Sequence, residues 1–168
     1  MKNVKFLLSA ALVFLASAAL AQDFSGPQYA KWGATPEERE QNILNSNFLK
    51  ESCDNRDYDA AAHYLKGLID KIPDAAESIY QRGAVVYKNK INRAKSVAEK
   101  NMFIDSLMLM YDMRAQYFGD NVKPGKTAFI LDQKAREFLR YKPNDRAGRR
   151  QHRPRDRGGL FLEPLRGL

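Results

Sequence analysis

The 168-residue chain is poor in the features that would tie it to a known chemistry. It has one cysteine, Cys53, so neither an intramolecular disulfide nor a cysteine metal cluster can be built from it. Cys53 reads as a small hydrophobe near a helix end, with an intermolecular disulfide as the alternative in an oxidising compartment. Histidine is limited to two residues, His63 and His152. Neither belongs to a metal-ligand spacing. His63 has only Asp59 at i−4 beside it, a spacing that on a helix is ordinarily a surface pair, and His152 lies among arginines. There is no Gly-x-Ser-x-Gly elbow and no phosphate-cradling glycine loop. No alternating strand pattern of useful length occurs. The chain therefore reads as a non-enzyme, with no catalytic, metal-binding or cofactor-binding residues expected.

Long apolar runs are also missing, with one exception at the N-terminus. Lys2 and Lys5 precede an apolar run from Phe6 to Leu15, and Ala19 and Ala21 then occupy the small-residue positions before Gln22. This is the pattern of a secretory signal peptide over residues 1–21, with cleavage expected after Ala21. The run is shorter than the ~20 residues a spanning helix needs. The expected destination is the periplasm or the exterior.

What is plentiful is positive charge, but it is unevenly placed. The net charge is +8. Residues 1–21 carry two bases and no acid, and residues 140–168 carry nine bases against three acids. The chain's 28 bases and 20 acids therefore leave 17 of each in residues 22–139. A polyanion-binding fold would need a basic stripe on its folded surface. A neutral body argues against nucleic acid as the partner.

That body is patterned for helices. Residues 22–35 read as an N-terminal tether with Tyr29 and the sole tryptophan, Trp32, which is either pinned to the first helix or exposed. Thr35-Pro36-Glu37-Glu38 is a capping box with proline at the first helical position, and predicts a helix over 36–53. A polar turn at 54–57 precedes Tyr58, Ala61, Ala62, Leu65, Leu68, Ile69 and Ile72, an amphipathic stripe that Pro73 ends. A third helix is predicted from Asp74 to Tyr87. Gly83 within it costs ~1 kcal/mol against alanine, so its role is read as close packing. A long fourth helix is predicted over 91–118, with Val97, Ile104, Met108, Tyr111, Ala115 and Phe118 as its apolar repeat. Asp105, Asp112, Lys100 and Arg114 sit at spacings of solvated faces, and Met102, Met108, Met110 and Met113 read as packing. After the Lys123-Pro124-Gly125 turn, a fifth helix over 127–141 carries Phe129, Ile130, Leu131, Ala135, Phe138 and Leu139.

Residues 42–75 resemble one tetratricopeptide (TPR) unit of about 34 residues. Tyr58 takes the aromatic position, Ala61 the small position, Leu65 the large one, and Pro73 the end. Asn45 and Leu49 depart from the usual tryptophan and glycine. A second, irregular unit starts near Ala76, with Tyr80, Gly83 and Tyr87 in matching positions. Residues 23–142, including Tyr29-Ala30-Lys31-Trp32-Gly33, resemble exported TPR proteins of Gram-negative bacteria. The resemblance implies an all-α, TPR-like α-solenoid of antiparallel helix pairs, here about five helices over 36–142, and a scaffold that binds a protein or peptide. Tyr80, Tyr87, Tyr111 and Tyr117 are the candidate contact aromatics, because tyrosine brings area and a polar tip to interfaces; for each one singly, ordinary inter-helix core is the alternative.

From Ala147 the composition turns to arginine, glycine and proline. Residues 143–168 are expected to be a disordered basic tail. Three readings stay open: a charged arm, through Arg149, Arg150, Arg153, Arg155 and Arg157, for an anionic membrane surface or nucleic acid; an ordinary tail; or the product of a frameshift or truncation, which the unfinished repeat array supports.

Overall fold

The computed structural model describes residues 23–142. A short 3-10 turn, Pro27–Trp32, precedes five α-helices: α1 (Pro36–Asp54), α2 (Tyr58–Lys71), α3 (Glu77–Arg93), α4 (Val97–Phe118) and α5 (Lys126–Tyr141). The described residues are all-helical, without strands, in a helical repeat-like stack.

The first helix begins where the capping box places it. The Glu38 amide donates to Thr35 Oγ1 at 3.3 Å, and the Glu38 carboxylate accepts from the Ala34 and Thr35 amides at 2.9 and 3.4 Å. The preceding segment is docked rather than loose. Arg39 donates to the carbonyls of Gly33, Phe24, Ser25 and Ala34. Asn42 donates to the Trp32 carbonyl at 2.7 Å, and Trp32 packs half-buried on the core. At its other end α1 closes with Arg56 in the left-handed region (φ 61°). The Arg56 amide donates to Cys53 O and the Asp57 amide to Ser52 O, the two bonds of a Schellman closure.

Successive helices run antiparallel. Between α2 and α3, Asp59 meets Lys90 while Leu65 lies against Gly83. Between α3 and α4, Lys90 covers the Phe103 ring, Gly83 faces Met110, and Tyr80 meets Tyr117 and Phe118. Between α4 and α5, Asp105 pairs with Lys142, Asp112 with Lys134, and Asp120 with Thr127. In each case one residue number rises as the other falls. Gly83 is the close-approach point of the stack: a Cβ there would lie 2.6 Å from Met110 Sδ and 3.1 Å from the Leu65 methyls, so α2 and α4 both crowd α3 at that level.

All seven residues of the predicted α2 stripe are buried. The boundary between α3 and α4 differs from the sequence expectation. The third helix continues to Arg93, and α4 starts at Val97, not Ile91. The stop is set by Ser96, whose Oγ accepts from the Glu99 amide at 3.1 Å while Glu99 accepts from the Lys95 amide at 2.7 Å. Ser96 is thus a side-chain N-cap, with Glu99 reaching back to the residue before it, and this start leaves Val97 in the solvent instead of on the apolar stripe.

Candidate interaction surface

Besides the apolar core, charged side chains link α3, α4 and α5, and they are organised in two groups at the two ends of the α3–α5 seam. At the first, Glu77 in the opening turn of α3 accepts from Arg114 Nε of α4 at 2.8 Å and from Lys126 Nζ of α5 at 2.7 Å. Arg114 also donates to Gln133 Oε1 of α5 at 2.9 Å. One carboxylate thus ties three helices. It also faces the positive end of the α3 dipole. At the second group, Lys88 of α3 pairs with Glu137 of α5. Arg140 approaches Glu137 at 3.9 Å, and Glu137 Oε2 is buried without a hydrogen-bond partner.

The register of these pairs defines the geometry. Glu77 and Lys126 are 49 positions apart, and so are Lys88 and Glu137 (137 less 88). Eleven residues of helix, about 16 Å at 1.5 Å per residue, separate the two links, so α3 and α5 lie parallel and in step. Their backbones do not pack as closely as those of α1 and α3 do. Long side chains span the gap, and α4 runs behind it. On the α4 side of α5, Lys134 donates to both Asp112 oxygens at 2.5 and 2.7 Å although Lys134 is only 2% exposed.

The charges respond as this geometry requires. Burial of Glu77 acts to raise its carboxyl, but the hydrogen bonds from Lys126 and Arg114 hold it below the usual carboxylate range. Burial of Lys88 acts against its ammonium, yet its Glu137 and Tyr111 partners hold it above the usual lysine range. Burial and the neighbouring Glu137 carboxylate push the Tyr141 hydroxyl up.

The four candidate contact tyrosines do not share an exposed face. Tyr80 and Tyr87 are 1% exposed, Tyr111 is buried, and Tyr117 is half-buried and stacked on Tyr80. Tyr80 donates to the Pro73 carbonyl at 2.6 Å. Burial pushes the Tyr87 hydroxyl up to about 12, against a Ser106 hydrogen bond that lowers it. Tyr80, Tyr87 and Tyr111 pack into the core between helices and offer a partner little ring surface, whereas Tyr117 keeps part of its surface in solvent.

Other readings change too. Arg114, expected on a solvated face, is largely covered and binds Gln133 of α5, whereas Asp112 stays exposed as expected while it accepts from Lys134. Asp59 is taken by Lys90 at 2.5 Å rather than by His63, which is exposed. Cys53 is half-buried at the end of α1, and burial raises its thiol, with Arg82 opposing; a thiol so held is a poor nucleophile. Met108 and Met110 are core, whereas Met102 is exposed. The arginines from 149 to 157 lie outside the described residues.

Sequence reasoning missed Glu77, Lys88, Lys126, Lys134 and Glu137. A signal for one existed: Lys134 stands between Ile130 and Phe138 at i+4 spacing, in the middle of an apolar stripe, where a charge requires a partner. Among the described residues, no helix is long and apolar enough to cross a membrane, and no group of three or more His, Cys, Asp or Glu could hold a metal ion. Comparison with family models, with curated proteins and with solved structures returned no match.

Proposed function

We propose that the protein is an exported helical scaffold of the TPR type that binds another protein. One observation carries this reading. Packing runs between sequence neighbours, with α1 also on α3, and α1 does not fold back onto α5. A stack of this kind is quasi-one-dimensional and spends its surface on binding rather than on closing a globule. The signal-peptide pattern supports export to the periplasm or beyond.

With Tyr80, Tyr87 and Tyr111 buried, the contact surface passes to the solvent stripe of α3: Gln81, Val85 and Asn92, flanked by half-buried Arg82 and Asn89. Val85 is 44% exposed on a helix that is otherwise well covered. The test is capture from periplasmic extract with wild type and Val85→Glu, each checked for helicity and melting temperature. A protein retained by wild type and lost by the variant supports the reading. Identical capture by both, or none by either, removes it.

A second reading rests on charge alone. Residues 140–168 carry nine bases against three acids, which favours contact with an anionic surface. Binding to anionic vesicles that falls steeply with added salt is the expected result; salt-independent binding or none eliminates it.

A further inference from the structure

The outward face of α5 carries a pattern that matches itself when turned end for end. Four exposed residues, Phe129, Asp132, Arg136 and Leu139, fall at intervals of three, four and three, the spacing of a coiled-coil seam. Phe129 is 54% and Leu139 39% exposed, although they lie on the last described helix of a stack in which every other helix is covered on at least two sides. Asp132 and Arg136 pair with each other along the helix. Ala128 and Ala135 flank the seam and leave room for a second backbone.

We infer that this face is the site at which a second copy of the chain docks, α5 against α5, antiparallel about the level of residue 134. The charges select both the occupant and its direction. In an antiparallel pair, residues whose numbers are equally spaced about 134 meet: Phe129 faces the second copy's Leu139, and Asp132 faces the second copy's Arg136. The two-fold axis then repeats both contacts. Every seam position meets a complementary one, apolar with apolar and acid with base. A parallel pair in register would instead place Asp132 against Asp132 and Arg136 against Arg136, which is repulsive. An isologous contact requires this self-complementarity. The Asp132–Arg136 pair is already formed within one helix, so docking exchanges its partners instead of stranding a charge. The inference is independent of the partner-binding reading, which concerns α3.

Sedimentation velocity of the purified protein from micromolar to sub-millimolar concentration tests it. Wild type is expected to pass to twice the chain mass as concentration rises. Asp132→Arg and Arg136→Asp are each expected to stay monomeric with unchanged helicity, because each sets like charges opposite one another in its own homodimer. Mixed in equal amounts, these two variants are expected to associate with each other, since every charged position then meets its opposite. Phe129→Glu should also be monomeric. Wild type that is monomeric throughout overturns the inference, whether the face is covered by another segment of the chain or by a different protein. A wild-type dimer that survives all three substitutions, or charge variants that fail to associate when mixed, overturns it equally.

Discussion

The two ends of the stack are held together differently. Around α1, α2 and the start of α3, cohesion comes from apolar side chains and backbone closure. Leu49, Ala61, Leu65 and Leu68 are nearly inaccessible, and α1 is fixed by its capping box and its Schellman turn. Between α3 and α5, the links are Glu77 with Arg114 and Lys126, and Lys88 with Glu137, all through long side chains across separated backbones. Apolar packing tolerates a range of crossing geometries as long as area is buried. Half-buried ion pairs hold only in one register, because either charge left alone pays its desolvation. The apolar core runs through both ends, but at the second end the charged links also set the alignment of α3 and α5.

The sharpest way to break the comparison is to truncate the apolar end. Leu65→Ala removes a side chain that is 1% exposed and packs against Gly83. It is expected to cost about 3–4 kcal/mol, transfer and cavity together, with no dependence on salt, as read by urea denaturation at two ionic strengths. The matching change at the other end is Glu77→Gln. Fully exposed pairs are worth about 0–1 kcal/mol and the loss of one partner from a buried pair about 3–5; Glu77, 23% exposed with two cationic partners, falls between, at about 2 kcal/mol. Its pH signature separates it from a packing defect. The folded carboxyl is held below its ordinary value, so its contribution is present above the ordinary carboxylate pKa and is lost as pH falls through the folded value. The gap between wild type and Glu77→Gln should close in acid, whereas that of Leu65→Ala should not. Equal pH dependence in the two variants would mean that the ends are not held differently.

The same division decides how much could be read from the sequence. The apolar end was legible because its signals are local. A stripe at helical spacing, a Thr-x-x-Glu box and a terminal proline each state their own consequence, and Tyr58 to Ile72 is buried as the spacing predicts. The charged end was not legible because a glutamate forty-nine positions from its lysine leaves no local mark. Tyr80 and Tyr87 misled for a related reason: an amphipathic ring suits an interface or a core with a polar exit, and only the packing of α2 and α4 on α3 decides between them. In α4 the buried residues Phe103, Ile104, Ser106, Leu107, Met108, Met110 and Tyr111 wrap most of the helix. It touches both α3 and α5, so no single stripe announced its start, and Val97 was drawn into a pattern it does not join.

The smallest expected effects sharpen the comparison at the level of single caps. Thr35 and Ser96 each cap a helix with a hydroxyl that accepts from the amide three residues on. Removing a Ser or Thr cap typically costs about 1 kcal/mol, yet the two should not be equal. When Thr35→Ala removes one acceptor, Arg39 still holds the carbonyls of Gly33 and Ala34, and Asn42 still holds that of Trp32; the helix start stays anchored, and the loss should be about 0.5 kcal/mol. Ser96 has no comparable support. Only Ala94, Lys95 and Ser96 separate α3 from α4, and the bonds of Ser96 and Glu99 are what turn the chain there. Ser96→Ala should therefore cost the full ~1 kcal/mol and speed amide exchange at Lys95 and Glu99. If Thr35→Ala proves the more costly of the two, the N-terminal segment is held by its cap and not by Arg39, and the apolar end depends on polar closure as much as the charged end does.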